Sequence, residues 1–208
     1  MKNGKFAKRG VSTKAFAMIL AIVALVSITV GGTIAWLMDQ TPTVKNTFTV
    51  GDVVINLKES PLNADGKYGD PAEGIQNAYK LIPGQEYKKD PKVTVEAVSE
   101  KCYLFVKFEE NGNAAKYIDY TSTLTTENGW TKGDGTDIPS NVWYRVVEDT
   151  NADQSWNLLD GDKITINATT VTKESMEYAK AAELVYTAYA VQFANVADPA
   201  TAWKTLNA

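Results

Sequence analysis

The chain contains no histidine. That absence removes HExxH zinc sites, Ser-His-Asp triads and imidazole acid/base chemistry together, since each depends on a group that titrates near neutral pH or ligates through a neutral ring nitrogen. There is one cysteine, Cys102, so no disulfide can form within the chain. A lone cysteine of this kind is expected in the core; a bridge between chains is the alternative. Acidic residues are missing from residues 1–35, which hold five basic ones (Lys2, Lys5, Lys8, Arg9 and Lys14). The remainder carries 16 basic against 25 acidic residues, a net charge of −9. Such a body lacks the clustered Lys and Arg that bind phosphate backbones or anionic lipid. Nucleic acid is therefore not expected as a partner, and the membrane only through a precursor leader. Apolar residues still make up 44% of the chain and aromatics 10%, enough for a folded domain rather than disorder. Without a leader, the length suits one domain with a core of its own.

The leader reads as a secretory signal. Met1 to Lys14 is basic, Ala15 to Val30 is apolar, and Gly31-Gly32-Thr33 breaks the run before a small residue at Ala35. Basic, apolar and small-residue segments in that order predict cleavage, here between Ala35 and Trp36. The competing reading is an uncleaved anchor, because Ala15 to Met38 is long enough to cross a bilayer as a helix. The expected organisation is a signal peptide over 1–35, an extended segment over 36–47 and a β-sandwich domain over 48–208.

The body alternates in the manner of strands. Val53, Ile55 and Leu57 share one face; Val54, Asn56 and Lys58 share the other. Residues 59–78, rich in Gly and Pro, read as a surface loop, and Tyr79 to Pro83 as a short strand. Cys102 to Glu109 is the clearest strand, with Asn111-Gly112 ending it as a hairpin turn would. Further strands are expected over Tyr117–Thr123, Val142–Glu148, Trp156–Leu159 and Lys163–Thr170. Leu184 to Phe193 is apolar on both faces, which predicts a central strand covered on both sides. A short helix is expected over Thr172–Ala182 with Thr172 as N-cap, and a C-terminal one through Leu206 with Asp198 as N-cap and Pro199 first. Short strands and frequent turns indicate an all-β fold, an antiparallel β-sandwich or jelly roll.

Little else suggests chemistry. Asp149, Asn151 and Asp153 have the spacing of a calcium loop, with Asp160 at its twelfth position. Gln154 stands where the turn needs Gly, and the bidentate Glu is missing, so a polar connection between strands is the plainer reading. Asp134 with Asp137 reads as a solvated turn. Trp130, Trp143, Trp156 and Trp203 could line a sugar platform, though large aromatics in a sandwich are more often core residues.

Several motifs resemble one family. Gly31-Gly32-Thr33-Ile34-Ala35-Trp36, then Asp39, then Asn46-Thr47-Phe48-Thr49-Val50-Gly51 resembles the start of TasA/camelysin-type proteins. Leu81-Ile82-Pro83-Gly84 is similar to that family's Leu-x-Pro-Gly turn, and Ala188-Tyr189-Ala190-Val191-Gln192 to its last strand. The resemblance implies a jelly-roll-like sandwich exported by a Gram-positive cell, processed by a SipW-type signal peptidase, and placed at the cell surface or in a biofilm matrix. It further implies fibres, made of this chain or joined to a related matrix subunit, in which the mature N-terminal segment adds as a donor strand to the next subunit. Trp36, Leu37, Met38, Val44 and Phe48 would then be the apolar anchors of that strand. A monomeric adhesion or ligand-binding sandwich is the alternative. The family's peptidase label is not expected to apply to a chain without histidine. No cofactor is implied.

Overall fold

Two ten-residue strands, β6 (Cys102–Asn111) and β12 (Glu183–Gln192), carry the fold. They pair antiparallel over their whole length, from Cys102 opposite Gln192 to Asn111 opposite Glu183. The computed structural model describes residues 44–148 apart from 51 and 52, residues 151–194, and residues 196–206; over 44–50 it describes the backbone alone. The expected signal peptide and the segment up to residue 43 lie outside the described residues.

The remaining elements, in chain order, are β1 (Val44–Val50), β2 (Ile55–Glu59), β3 (Ala72–Glu73), β4 (Glu86–Lys88), β5 (Lys92–Val95), α1 (Ala114–Tyr117), β7 (Ile118–Asp119), β8 (Thr131–Lys132), β9 (Val142–Val147), β10 (Gln154–Asn157), β11 (Lys163–Ile166), α2 (Met176–Ala179) and α3 (Pro199–Leu206). They form a five-stranded sheet in the order β1-β12-β6-β9-β8, a four-stranded sheet β10-β5-β2-β3, and a three-stranded sheet β4-β11-β7. The two smaller sheets share one apolar core with the large one. Ile55, Leu57, Val93 and Val95 meet Ile164 and Ile166 there, against Leu104, Val106, Leu184 and Ala188. Among the described residues this is an all-β sandwich with three short α-helices.

Alternation explains which side chains enter that core. In β6, Cys102, Leu104 and Val106 face inward, whereas Tyr103 and Phe105 face the opposite side, as a period of two requires. That outer face has its own cover. Pro199 starts α3 where a missing N–H costs nothing, and the Asp198 carboxylate accepts the Thr201 N–H at 2.8 Å. That bond also holds the Asp198 carboxyl below its ordinary range. The helix sets Trp203 against Phe105 and Tyr189, with ring centroids 5.3 and 5.5 Å apart. β12 is thus covered on both faces and paired on both edges, as its two-sided apolar pattern predicts. Phe105 is fully buried, a contribution of about 1.5–3 kcal/mol for a side chain of this size.

Several elements are shorter than the sequence suggests. No hairpin follows β6: Gly112 and Asn113 turn the chain through positive φ into α1. A returning strand would need an open edge beside β6, and both edges are taken by β12 and β9. Tyr79–Pro83 forms no strand, because the chain turns on itself there, the Ile82 N–H donating to the Lys80 carbonyl and the Gln85 N–H to the Ile82 carbonyl. The expected strand over Tyr117–Thr123 shrinks to β7. The helix after Thr172 starts later than expected, at Met176. Thr172 and Ser175 still bond reciprocally, the Ser175 hydroxyl accepting the Thr172 N–H at 2.8 Å and the Thr172 hydroxyl accepting the Ser175 N–H at 3.3 Å.

Cys102 is free and buried, and burial pushes its thiol up to about 12. The native protein should therefore resist a thiol reagent at neutral pH and react once denatured. Stoichiometric labelling of the native state within the mixing time would contradict this placement.

Candidate functional site

The edge of β12 is the first feature with functional content. β1 lies along it in parallel, with Val44 opposite Tyr186 and Phe48 opposite Tyr189. The register shifts between Lys45 and Phe48, so one extra residue is accommodated in a parallel ladder, where bulges are rare. All other strand pairs among the described residues are antiparallel. A strand at a sheet edge covers backbone groups that would otherwise pair with another chain. Val44 and Phe48, two of the five expected anchors, lie in this strand. Trp36, Leu37 and Met38, like the cleavage pair Ala35 and Trp36, lie outside the described residues.

The second feature is a buried polar cluster that sequence reasoning missed. Glu59, at the end of β2, and Lys89, just after β4, are both fully buried and 3.0 Å apart. The loop read as surface turns inward here. Asn77 is almost fully buried and donates from Nδ2 to Glu59 Oε1 at 2.7 Å. The Tyr79 hydroxyl lies 3.0 Å from the same oxygen. Burial is the largest influence on Lys89 and holds its ammonium below the ordinary lysine range, against the pull of Glu59 and Asp90. Burial next to Glu59 likewise holds the Tyr79 phenol well above its usual range. A neighbouring set of bonds fixes the backbone on both sides. Asp90 accepts the Ser60 N–H at 2.8 Å and its hydroxyl at 2.7 Å, and Lys88 lies 3.0 Å from Asp90. The Lys89 ammonium also stands 6.0 Å from the centroid of Tyr186 on β12, linking this cluster to the central strand.

The weaker sequence candidates are not gathered into one site. Asp153 uses Oδ1 to accept the Ala97 N–H at 2.8 Å, and β10 (Gln154–Asn157) runs extended between Asp153 and Asp160, where a calcium loop would have to fold back on itself. Asn151 is exposed, and Asp149 lies outside the described residues. Among the described residues, no group of three or more His, Cys, Asp or Glu is placed to hold a metal. Asp134 caps its own turn by accepting the N–H groups of Thr136, Asp137 and Ile138. The four candidate tryptophans divide between the main core, where Trp130, Trp143 and Trp156 pack, and the cluster on the outer face of the large sheet, where Trp203 packs. Trp130 and Trp156 meet edge to face at 6.2 Å with the Arg145 guanidinium over both rings, whereas Trp203 packs under α3 on the other side. No described helix is long and apolar enough to cross a membrane.

The chain matches no family model, no curated protein and no solved structure in the comparisons made.

Proposed function

We propose that this is an exported structural protein of a Gram-positive cell surface or biofilm matrix, without enzymatic activity, that assembles into fibres by donating its N-terminal strand. The observation that carries the reading is β1, an N-terminal strand laid along the β12 edge in parallel and with a broken register. The same backbone bonds would form if β1 came from a second copy or a related subunit, which is the physics of β-augmentation. Head-to-tail donation does not close on itself and so yields a filament. The leader resembles one cut by a SipW-type peptidase, and cleavage after Ala35 would free the segment that leads into β1. Trp36, Leu37 and Met38 would then become the apolar tip of a donor strand.

The test is a reversible lock. Lys45 and Thr187 are register partners, so a K45C/T187C chain of residues 36–208, oxidised while monomeric, holds β1 on its own domain. Light scattering should show no assembly of the oxidised protein and assembly after reduction, at the rate of the unlocked chain. Deleting residues 36–47 should abolish assembly permanently while leaving a β-rich circular dichroism spectrum. Fibres from the oxidised monomer, or from the deletion variant, would sink strand donation.

A further inference from the structure

We propose that Lys89 and Asn77 form an intramolecular isopeptide bond, with Glu59 as the acid/base that drives it. The proposal does not depend on assembly, and it rests on three side chains that are rarely buried together. Glu59 and Lys89 are 0% exposed and Asn77 is 2% exposed. One carboxylate touches both reacting nitrogens. Glu59 Oε1 lies 2.7 Å from Asn77 Nδ2 and 3.3 Å from Lys89 Nζ, and its Oε2 lies 3.0 Å from Nζ.

The amide is oriented for substitution. Its Oδ1 accepts the Leu62 N–H at 2.6 Å, and its Nδ2 donates to the Ser60 carbonyl at 2.8 Å. A backbone N–H only donates and a carbonyl only accepts, so these two contacts fix which end of the amide is oxygen. The leaving nitrogen therefore faces the carboxyl group, and the carbonyl oxygen faces a donor that would hold an oxyanion. The nucleophile is also prepared, because burial favours a neutral lysine amine. Its backbone is held against Glu59 by the Asp90 bonds to Ser60.

The steps balance without an oxidant or other co-reactant. Glu59 takes a proton from the Lys89 ammonium, and the freed Nζ lone pair attacks Cγ of Asn77. The Nζ–Cγ bond forms while the carbonyl electrons move to Oδ1, beside the Leu62 N–H. Glu59 passes its proton to Nδ2, the Cγ–Nδ2 bond breaks, and ammonia leaves as the carbonyl reforms. Glu59 then takes the surplus proton from Nζ. A buried ion pair is replaced by an uncharged amide and an uncharged carboxylic acid, which removes two charges from a site where charge is expensive.

A peptide map of the full chain reads this directly. Lys80 lies between Asn77 and Lys89, so trypsin separates the two residues unless they are joined. After complete denaturation and digestion, mass spectrometry should find the peptide ending at Lys80 joined to the one containing Lys89, lighter by one ammonia than the pair. It should also show no cleavage after Lys89. Free Lys89 beside an unmodified Asn77 would overturn the proposal. So would a succinimide or aspartate at position 77 with Lys89 free, although a succinimide also loses ammonia. Glu59→Gln keeps the shape but cannot shuttle the proton, and the joined peptide should disappear. Its persistence at the wild-type level would remove Glu59 from the reaction. Asn77→Ala must likewise abolish it, and a cross-link from Lys89 to any other residue would refute the assignment. The wild-type map stands even where a variant fails to fold.

Discussion

Glu59→Ala is expected to be less stable than E59L/K89M by about 3–5 kcal/mol, the usual cost of leaving one member of a buried ion pair without its partner. Lys89 is fully enclosed, and the other groups around it offer poor replacement. Asp90 already holds Ser60 and Lys88, and Tyr79 and Tyr186 are uncharged phenols. A loss of that size is a large share of the roughly 5–15 kcal/mol that holds an ordinary domain together. The control is E59L/K89M, which removes both charges and refills the space. Such replacements are often neutral or stabilising relative to an intact ion pair, so the double variant should exceed Glu59→Ala by most of that amount in urea unfolding. A closed Asn77–Lys89 bond is absent from both variants, and the difference between them still isolates the stranded charge. Equal losses would show that shape, not charge, sets the cost.

The single variant also has a pH signature. Without Glu59, burial is opposed mainly by Asp90, so the Lys89 pKa in the folded protein stays below 10.5, the value for the unfolded chain. Between those two values the unfolded state binds more protons than the folded one, and stability rises with pH. The deficit of E59A relative to E59A/K89M should therefore shrink as pH is raised toward about 9.5. That window ends below the ordinary tyrosine range, since Tyr79 and Tyr186 are both raised by burial and pull stability down above it. A deficit that does not change with pH would mean that Lys89 is not the group left stranded.

The strands of this fold were legible wherever a period of two met a simple environment. β2 and β6 follow from alternation, β9 from its place as a run between turns, and the two-sided pattern of β12 announced its central place. The C-terminal helix was readable to the residue from Asp198 and Pro199, because capping is local chemistry. Elements whose length is set by neighbours were not readable. Nothing in Asn111-Gly112 says that both edges of β6 are occupied, so a hairpin was expected where the chain enters α1. The polar cluster was hidden for a different reason. Glu59, Asn77 and Lys89 belong to types that are normally exposed, and they are brought together from three segments whose meeting no local pattern announces; Asn77 lies 18 and Lys89 30 positions beyond Glu59. The one local hint was Asn77-Ala78-Tyr79, two large residues on one side where the expected loop meets the expected strand. The β1 edge was half legible. The resemblance marked Val44 and Phe48 as anchors of a donor strand, but only the topology shows which edge their strand covers.

That topology leaves no room for a side chain at Gly112. A Cβ placed there would lie 1.8 Å from the Ala181 carbonyl oxygen, 2.2 Å from its carbon and 2.8 Å from the Ala182 nitrogen. All three atoms are backbone, in the segment that leads directly into β12. Gly112 also has φ +58°, where a side chain costs roughly 1–2 kcal/mol. Overpacking against atoms that cannot rotate away adds about 1–3 kcal/mol, so Gly112→Ala should lose about 2–5 kcal/mol. Gly129→Ala is the matched control. Its φ is also positive, at +75°, yet its nearest neighbour is the mobile end of Arg145 at 3.4 Å, so it should show only the dihedral cost. Equal losses in the two variants would remove the steric argument. The clash also has a direction. Moving Ala181 and Ala182 shifts the start of β12 at Glu183, and with it the strand that pairs with both β6 and β1. Amide exchange in Gly112→Ala should therefore quicken first near Glu183 and Leu184 and spread to β1, while β5 and β10, in the other layer, keep their protection. Uniform loss of protection across both layers would mean instead that the sandwich opens as one unit.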